Sequence, residues 1–242
     1  MGKKKKVDCK YHVELTGDTH IHVSQGNDKL GAGIYNISTL PCEGLLTLKN
    51  GEVLCNIPGT CDGCCEDCGP DCYAAQYIKF HHNSCVVPYA ENTVLAREDI
   101  ELYFKEIENY LRKSWIGCWR WHVSGEILSY EYLVKMNDLA IKFPYVQFYF
   151  YTKRYAWLEK LDNEIGLAKN LIPTVSKGWC KLEKEYPNPN GYHEFILDKD
   201  GTAKGFHCPA TDKDGHETGV TCSTCRRCPL AQKGMKTYIY KH

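Results

Sequence analysis

The feature that most constrains this chain is a crowded run of cysteines in its first third. Six cysteines fall between Cys55 and Cys72. Their order is Cys-Asn-Ile-Pro-Gly-Thr-Cys-Asp-Gly-Cys-Cys-Glu-Asp-Cys-Gly-Pro-Asp-Cys. Thiols this close together form disulfides, bind a metal or stay unused, and the rest of the sequence must decide among these outcomes. A second group near the C-terminus raises the same question and consists of Cys208, Cys222, Cys225 and Cys228.

The cysteine count and the absence of export signals both favour metal binding. The chain has 15 cysteines, an odd number that does not fit a fully paired disulfide framework. No apolar stretch approaches the roughly 18–20 residues that span a bilayer. The basic run at residues 3–6 is not followed by the apolar segment of a signal peptide. We therefore expect a cytoplasmic protein with no membrane partner, in a compartment where structural disulfides are rare.

The overall charge excludes a strong general attraction to polyanions. Thirty basic side chains balance thirty acidic ones, so no net field draws the chain onto nucleic acid or an anionic membrane. The basic run at residues 3–6 is typical of a solvated chain end, and nucleic-acid contact is its alternative interpretation.

The hydrophobic pattern predicts an α/β fold. Residues 1–54 alternate in the manner of strands at 11–15 and 20–24. After the cysteines, apolar periodicity predicts helices at 73–80, 97–113, 129–142 and 154–161, and strands at 118–123, 146–152 and 171–176. Alternating strands and helices imply a mainly parallel sheet. Only about 105 residues carry this pattern, against about 250 in a full eight-fold barrel, so we predict a partial, open βα barrel.

Three regions follow from this pattern. Residues 1–54 form a β-rich N-terminal segment. Residues 55–180 form the α/β core, with a cluster loop at 55–72. Residues 181–242 form a C-terminal, cysteine-rich extension with an auxiliary metal site.

The spacing of the first cysteine group favours an iron–sulfur cluster over zinc. Three nearby thiolates can hold a [4Fe–4S] cluster and leave its fourth iron open, whereas structural zinc takes four ligands, usually as two pairs. Cys61-x3-Cys65-x2-Cys68 has the spacing found in radical S-adenosylmethionine (SAM) enzymes. Two rival ligand sets end at Cys72, and they are Cys65-Cys68-Cys72 and Cys61-Cys68-Cys72.

A short polar motif marks the end of the first predicted core strand. Ser124, Gly125 and Glu126 follow the strand at 118–123. Ligands of such sheets bind beyond the carboxyl ends of the strands. Glu126 could accept hydrogen bonds from the ammonium of a cluster-bound amino acid, and Gly125 permits close approach. Ser176 is predicted to contact the SAM ribose or carboxylate. The alternative for the motif is an ordinary turn glycine beside a solvated glutamate.

The C-terminal group supplies a complete ligand set. Its four thiolates fit either tetrahedral zinc or a fully ligated second [4Fe–4S] cluster. The compact Cys222-x2-Cys225-x2-Cys228 run is more typical of iron–sulfur proteins than of zinc sites. Four of the five cysteines outside both groups are predicted to be isolated, buried thiols, and they are Cys9, Cys42, Cys118 and Cys180.

Several stretches together resemble the gene product eighty-eight family of phages and bacterial mobile elements. They are Gly-Asn-Asp-Lys-Leu-Gly at 26–31, Cys-Gly-Pro-Asp-Cys-Tyr-Ala at 68–74, Trp-Arg-Trp-His-Val-Ser-Gly-Glu at 119–126, Gln-Phe-Tyr-Phe-Tyr-Thr-Lys at 147–153, and the cysteine pattern at 208–228. The resemblance covers roughly residues 24–242.

That family is similar to the radical SAM superfamily. The resemblance implies that Cys68 and Cys72 are cluster ligands and that Gly125–Glu126 occupies the position of the SAM-amino motif. The third ligand stays open between Cys61 and Cys65. Ile127 stands where a proline usually follows the motif.

The resulting expectation is a small radical SAM-type enzyme. It would take SAM, an open-site [4Fe–4S] cluster, a reducing electron donor and a substrate that the sequence does not disclose. The radical chemistry would belong to the cofactors. Two alternatives are a non-catalytic zinc or iron–sulfur module that binds nucleic acid or a protein partner, and a redox sensor that uses its thiols directly.

Overall fold

The computed structural model describes residues 7–63, 68, 72–178, 187–188 and 190–240. Its helices are α1 Tyr73–Phe80, α2 His82–Glu98, α3 Ile100–Lys113, α4 Tyr130–Lys142, α5 Tyr155–Glu164 and α6 Cys222–Cys225. Its strands are β1 Val23–Gln25, β2 Ile34–Ile37, β3 Cys118–Trp121, β4 Gln147–Thr152, β5 Leu171–Lys177, β6 His193–Asp198 and β7 Lys236–Tyr240.

The described strands form one seven-stranded sheet whose spatial order follows the chain, from β1 to β7. β1 pairs with β2 antiparallel, and every later pair is parallel. β1 and β7 are the two edges, so the sheet is open and not closed into a barrel. The predicted mainly parallel α/β sheet is confirmed. β6 and β7 continue the same sheet beyond residue 181, where the sequence predicted only an extension.

Side-chain alternation gives the sheet two different faces. Trp119, Trp121, Phe148 and Phe150 are fully buried on the face that packs against α3, α4 and α5. The intervening side chains of β3 and β4 therefore point to the opposite face. There Tyr149 joins a second apolar cluster that includes residues of the C-terminal segment. Because both faces are covered, β4 is almost wholly apolar, as its sequence suggested.

Helix caps account for where α3 and α4 begin. The Asp99 carboxylate accepts a hydrogen bond from the backbone N–H of Leu102 at 2.9 Å. The Ser129 hydroxyl accepts one from the N–H of Tyr132 at 3.1 Å, which confirms the predicted cap of this helix.

Helix α2 was not predicted, because its sequence is not amphipathic. It contains Pro88 and is buried over much of its surface. Its polar side chains are used internally: Asn92 donates to the carbonyls of His22 and Ser38, at 3.0 and 2.8 Å. A helix that is surrounded by protein has no need for a polar face, so periodicity alone could not reveal it.

The predicted strand at 11–15 is wrong, and the strand predicted at 20–24 begins only at Val23. The N-terminal segment runs as an irregular chain whose backbone is paired by side chains. The Asn56 side chain accepts from the N–H of Val13 at 2.7 Å and donates to its carbonyl at 2.8 Å. The Glu106 carboxylate accepts from the N–H of Ile21 at 2.8 Å. These side chains take the place of a neighbouring strand.

None of the helices in the described part of the chain combines the length and apolar character that crossing a membrane requires.

Candidate functional site

The turn after β3 packs tightly against the end of β2. The backbone N–H of Thr39 donates to the Ser124 carbonyl at 3.0 Å. Gly125 has a φ of 87°, and a Cβ there would lie 2.0 Å from the Thr39 hydroxyl and 2.8 Å from the Thr60 hydroxyl. Glycine is therefore required at this position by both backbone conformation and space. The close approach at Gly125 is made by two threonine side chains of the chain itself.

The Glu126 carboxylate joins the ends of β3 and β4. Its side chain is buried, with 5% exposed. Oε1 accepts hydrogen bonds from the Thr152 hydroxyl at 2.8 Å and the Ile127 N–H at 2.9 Å, and Oε2 accepts one from the Lys153 N–H at 2.8 Å. A carboxylate has about four acceptor positions, so three protein donors leave room for about one more.

The two predicted serine contacts lie in different surroundings. The Ser124 hydroxyl is buried without a hydrogen-bond partner among the described residues, so it can serve an added polar group. Ser176 is buried near the carboxyl end of β5, and its carbonyl accepts a hydrogen bond from the Tyr155 hydroxyl. Thr152, which binds Glu126, pairs with Val175. Ser176 therefore points to the sheet face opposite Thr152, and the structure does not bring it onto Glu126.

Two arginines hold the chain that leads into the cysteine loop. Arg97, at the end of α2, donates to the carbonyls of Pro58 and Gly59, both at 2.7 Å. Arg154, just before α5, donates to the carbonyl of Asp62 at 2.7 Å. These charge-assisted contacts hold the start of the loop at the carboxyl ends of the strands.

A cleft beside this segment is small. Its volume is about 190 Å³, below the roughly 300–1,000 Å³ of most ligand pockets. Its lining includes Thr60, Asp62, Arg97, Ser129 and Glu131.

The structure brings three thiols together at this edge of the sheet. The Cys72 thiol hydrogen-bonds with the thiols of Cys68 and Cys42. The backbone N–H of Cys61 donates to the Cys42 carbonyl at 3.1 Å. Cys65 lies outside the described residues. The prediction that Cys42 is an isolated thiol is wrong, because the turn after β2 folds back onto the cysteine loop.

The contacts among these thiols shift their acidity in opposite directions. The hydrogen bond from Cys72, helped by the charge of Lys79, lowers the pKa of Cys42 to about 7. The same bond, a second one to Cys68 and burial raise the pKa of Cys72. Cys42 is thus partly a thiolate near neutral pH, and the thiolate is the form that binds metals.

The second cysteine group sits on the sheet face opposite the helices. Cys222 and Cys228 pack in the apolar cluster that contains Tyr149. The backbone N–H of Cys222, at the start of α6, donates to the carbonyl of Lys29 at 2.9 Å. The turn between β1 and β2 therefore positions the C-terminal thiols. Cys118 packs in the same cluster, so its prediction as an isolated thiol is also wrong.

Burial favours the protonated form of three thiols of this second group, Cys208, Cys222 and Cys228. Burial is the main cause of the raised pKa values of Cys208, Cys222 and Cys228. The pKa of Cys228 reaches about 12, although the Tyr151 hydroxyl donates a hydrogen bond to its sulfur. The charges of neighbouring thiols of the group add to each shift, so each of these three sulfurs lies within electrostatic range of at least one other predicted ligand. Cys180 lies outside the described residues.

The spacing of these sulfurs is wider than a closed zinc site requires. In the described part of the chain, one group of at least three His, Cys, Asp or Glu ligand atoms lies within 4.8 Å of one another, and it is the exposed set Asp212, Asp214 and His216. The four C-terminal sulfurs do not form such a group. Around one zinc ion they would lie about 3.8 Å apart, as bonds of about 2.3 Å in a tetrahedron require.

A half-buried cation faces the second group. The Arg120 guanidinium lies 4.7 Å from the ring centre of Tyr151, and its charge acts on Cys222 and Cys228. Among the described residues, its buried Nε has no hydrogen-bond partner and no carboxylate forms an ion pair with it. A desolvated cation without a counter-ion is costly. Thiolates bound to a metal would supply the missing negative charge, so this surrounding fits an anionic cluster.

Sequence reasoning missed Cys42, Arg97 and Arg120. Arg120 carried a usable signal, because a charged residue between two buried tryptophans must face the other side of the sheet. Nothing in the spacing marks Cys42, which lies outside the cysteine run.

Comparison with known proteins identifies a family. A family model described as Gene product 88 matches residues 21–233. No curated protein and no solved structure matches the chain. The matched region includes the cysteine loop, the Ser-Gly-Glu turn and all four C-terminal cysteines. Because the match spans most of the sequence, the chain belongs to the Gene product 88 family.

Proposed function

We propose that this protein is a small iron–sulfur enzyme of the radical SAM type. One contact carries the proposal. The backbone N–H of Glu126 donates to the Thr60 hydroxyl at 2.8 Å, and Thr60 directly precedes Cys61. The cluster loop after the first parallel strand is thereby tied to the Gly-Glu turn after the second. A thiolate-bound cluster and a SAM-binding turn would have to lie close together for one SAM molecule to contact both.

The order of the strands supports the same proposal. Six parallel strands follow one another in chain order, from β2 to β7. A sequential parallel sheet is the arrangement of βα barrels, whose active sites lie at the carboxyl ends of the strands. The cysteine loop and the Glu126 turn both lie at that edge.

Each group has a role in the proposed enzyme. The first cluster would be held by Cys68 and Cys72 with a third thiolate from Cys61 or Cys65. A reduced cluster with one open iron would supply the electron for cleavage of the S–C5′ bond of bound SAM, which would give methionine and a 5′-deoxyadenosyl radical. The chain orients the SAM through Ser124, Gly125 and Glu126, and Ser176 is a further proposed contact.

The second group would hold an auxiliary [4Fe–4S] cluster. Its ligands would be Cys208, Cys222, Cys225 and Cys228. Arg120 offsets their charge, and the aromatic face of β4 keeps water away. Zinc is the alternative metal at this group.

Anaerobic reconstitution with iron and sulfide tests the proposal. We expect about eight irons per chain if both groups hold [4Fe–4S] clusters. Dithionite reduction in the presence of SAM should then release 5′-deoxyadenosine. Cys72→Ala should abolish this release, whereas Cys85→Ala, at a buried thiol on α2, should retain it. Tightly bound zinc with no SAM cleavage would overturn the proposal.

One observation favours the non-catalytic module as a second candidate. Glu126 already accepts three hydrogen bonds from the chain, so its carboxylate can be explained as a structural tie between strand ends. In that case Glu126→Gln would alter stability but not any ligand binding.

A further inference from the structure

The turn after β2 carries a cysteine that belongs to neither group in the sequence. Cys42 follows Pro41, only a few residues beyond the end of β2 at Ile37. In the fold its thiol hydrogen-bonds with that of Cys72, which also hydrogen-bonds with that of Cys68. Cys68 is close enough to Cys42 for its charge to influence the Cys42 thiol. The Cys72 thiol at the carboxyl edge of the sheet therefore contacts two other thiols, and one of them, Cys42, comes from outside the cluster loop.

The backbone around Cys42 is built to hold this position. The N–H of Thr60 donates to the Leu40 carbonyl at 2.9 Å, and the N–H of Cys61 donates to the Cys42 carbonyl at 3.1 Å. The turn and the start of the cysteine loop thus lie side by side. At Gly59 a Cβ would lie 2.3 Å from the Cys42 carbonyl oxygen, so only glycine allows this close approach.

Cys42 also pays a conformational cost at this position. Its φ is 70°, in the left-handed region that a residue with a side chain rarely adopts. Such a conformation is unfavourable by itself and persists where the surrounding structure enforces it. Here the enforced conformation directs the Cys42 sulfur to Cys72.

We propose that Cys42, in place of Cys61 or Cys65, is the third thiolate ligand of the same metal centre as Cys68 and Cys72, so that three thiolates are used and the fourth iron of a cluster stays open. The ligand class is a thiophilic metal centre, of which an iron–sulfur cluster is the one proposed above. On binding, each thiol would release its proton to solvent and form a sulfur–metal bond. This inference rests on the proposed metal site at the first group, but it does not require that SAM is cleaved.

The test measures metal and not catalysis. The full chain and its Cys42→Ser, Cys72→Ser and Cys85→Ser variants are reconstituted anaerobically with ferrous iron and sulfide. We expect Cys42→Ser and Cys72→Ser each to lose about four irons per chain, roughly half of the total. Cys85→Ser, the matched control at a buried thiol, should keep the full amount. Iron content in Cys42→Ser equal to that in Cys85→Ser would overturn the inference.

A second measurement uses the unmodified protein and so does not depend on how a variant folds. Reconstituted protein is treated with iodoacetamide before and after removal of its metal, and the labelled cysteines are identified by mass spectrometry. Cys42, Cys68 and Cys72 should be protected together and become labelled together. Labelling of Cys42 in the loaded protein, with Cys68 and Cys72 protected, would refute the assignment.

The two proposals fail in different ways. If the wild-type protein never cleaves SAM but Cys42→Ser loses iron, Cys42 is supported as a metal ligand and the proposed enzyme activity is overturned. A wild-type chain that takes up no metal at its first group overturns both.

Discussion

The two cysteine groups use the same side chain in contrasting surroundings. The C-terminal group is packed against the sheet, with Tyr149 and Tyr151 around it and Arg120 facing its sulfurs. The first group lies at the carboxyl edge, where its thiols, half-buried like those of the second group, contact one another at a loop. A group packed against the face of a sheet mainly contributes stability, whereas a group at the strand ends can receive a ligand. On the proposed function, this difference would separate a structural metal centre from a reactive one.

The largest expected effect is a loss of stability, and it tests the contrast between the two cysteine groups. Cys228→Ala should lower the free energy of unfolding of the metal-loaded protein by more than about 4 kcal/mol, because metal binding in a buried site is folding energy. Cys68→Ala should lower it by less than about 1 kcal/mol, as expected at a partly exposed position. Anaerobic urea unfolding followed by tryptophan fluorescence measures both. Equal losses for the two variants would show that the groups do not differ in this way.

The next effect tests whether Glu126 belongs to the reactive site or to the scaffold. Glu126→Gln replaces one acceptor oxygen by an N–H₂ group facing backbone or hydroxyl donors, so it should cost about 1–3 kcal/mol of stability. Glu131→Gln, at an exposed residue in the first turn of α4, is the control. The same urea unfolding series measures the loss. A variant of full stability that no longer cleaves SAM would instead assign Glu126 to the ligand.

The third prediction concerns Arg120 and the rate at which the second group releases its metal. Arg120→Met removes the cation that faces Cys222 and Cys228, so the loaded site should release its metal to a chelator about tenfold faster. The exposed Arg112→Met is the matched control, since its guanidinium pairs with Glu108 on the surface of α3. Chelator competition followed by absorbance gives the rates. Identical rates for both variants would contradict a role for the buried charge.

The smallest effect concerns the pH dependence of stability and the buried residue His193 on β6. Burial, with the nearby charge of Arg227, lowers the pKa of His193 on β6 to about 4, below the usual value near 6.5. The folded protein therefore keeps this histidine neutral. Its contribution to stability is complete above pH 6.5 and is lost as the pH falls from 6.5 to 4, because the unfolded chain then binds the proton more readily.

His193→Gln should flatten that pH dependence by on the order of 1 kcal/mol, since the amide can still bond Thr174 and Thr237 without titrating. Thermal unfolding between pH 4 and pH 7 measures the change, with the exposed His216→Gln as control. An unchanged pH profile in His193→Gln would show that this group titrates normally in the folded state.

Much of the core could be predicted from local pattern. Helix α1 lies at residues 73–80 as predicted, α4 begins after the predicted cap at Ser129, and β4 occupies an apolar run that both faces of the sheet cover. These features depend on a few neighbouring residues, so periodicity and capping suffice to find them. Helix α2 escaped prediction because its burial comes from distant segments.

The sequence by itself determined which functional groups are present, namely two groups of thiols and a Gly-Glu turn. It also determined the strand–helix alternation that requires a parallel sheet. The tertiary structure alone decided which groups meet. It placed Cys42 against Cys72, gave the Glu126 carboxylate hydrogen-bond donors from Thr152 and Lys153, and brought Arg120 within electrostatic range of Cys222. The reason is physical: spacing along the chain records only local geometry, whereas contacts between residues tens of positions apart depend on how the sheet brings strand ends and loops together.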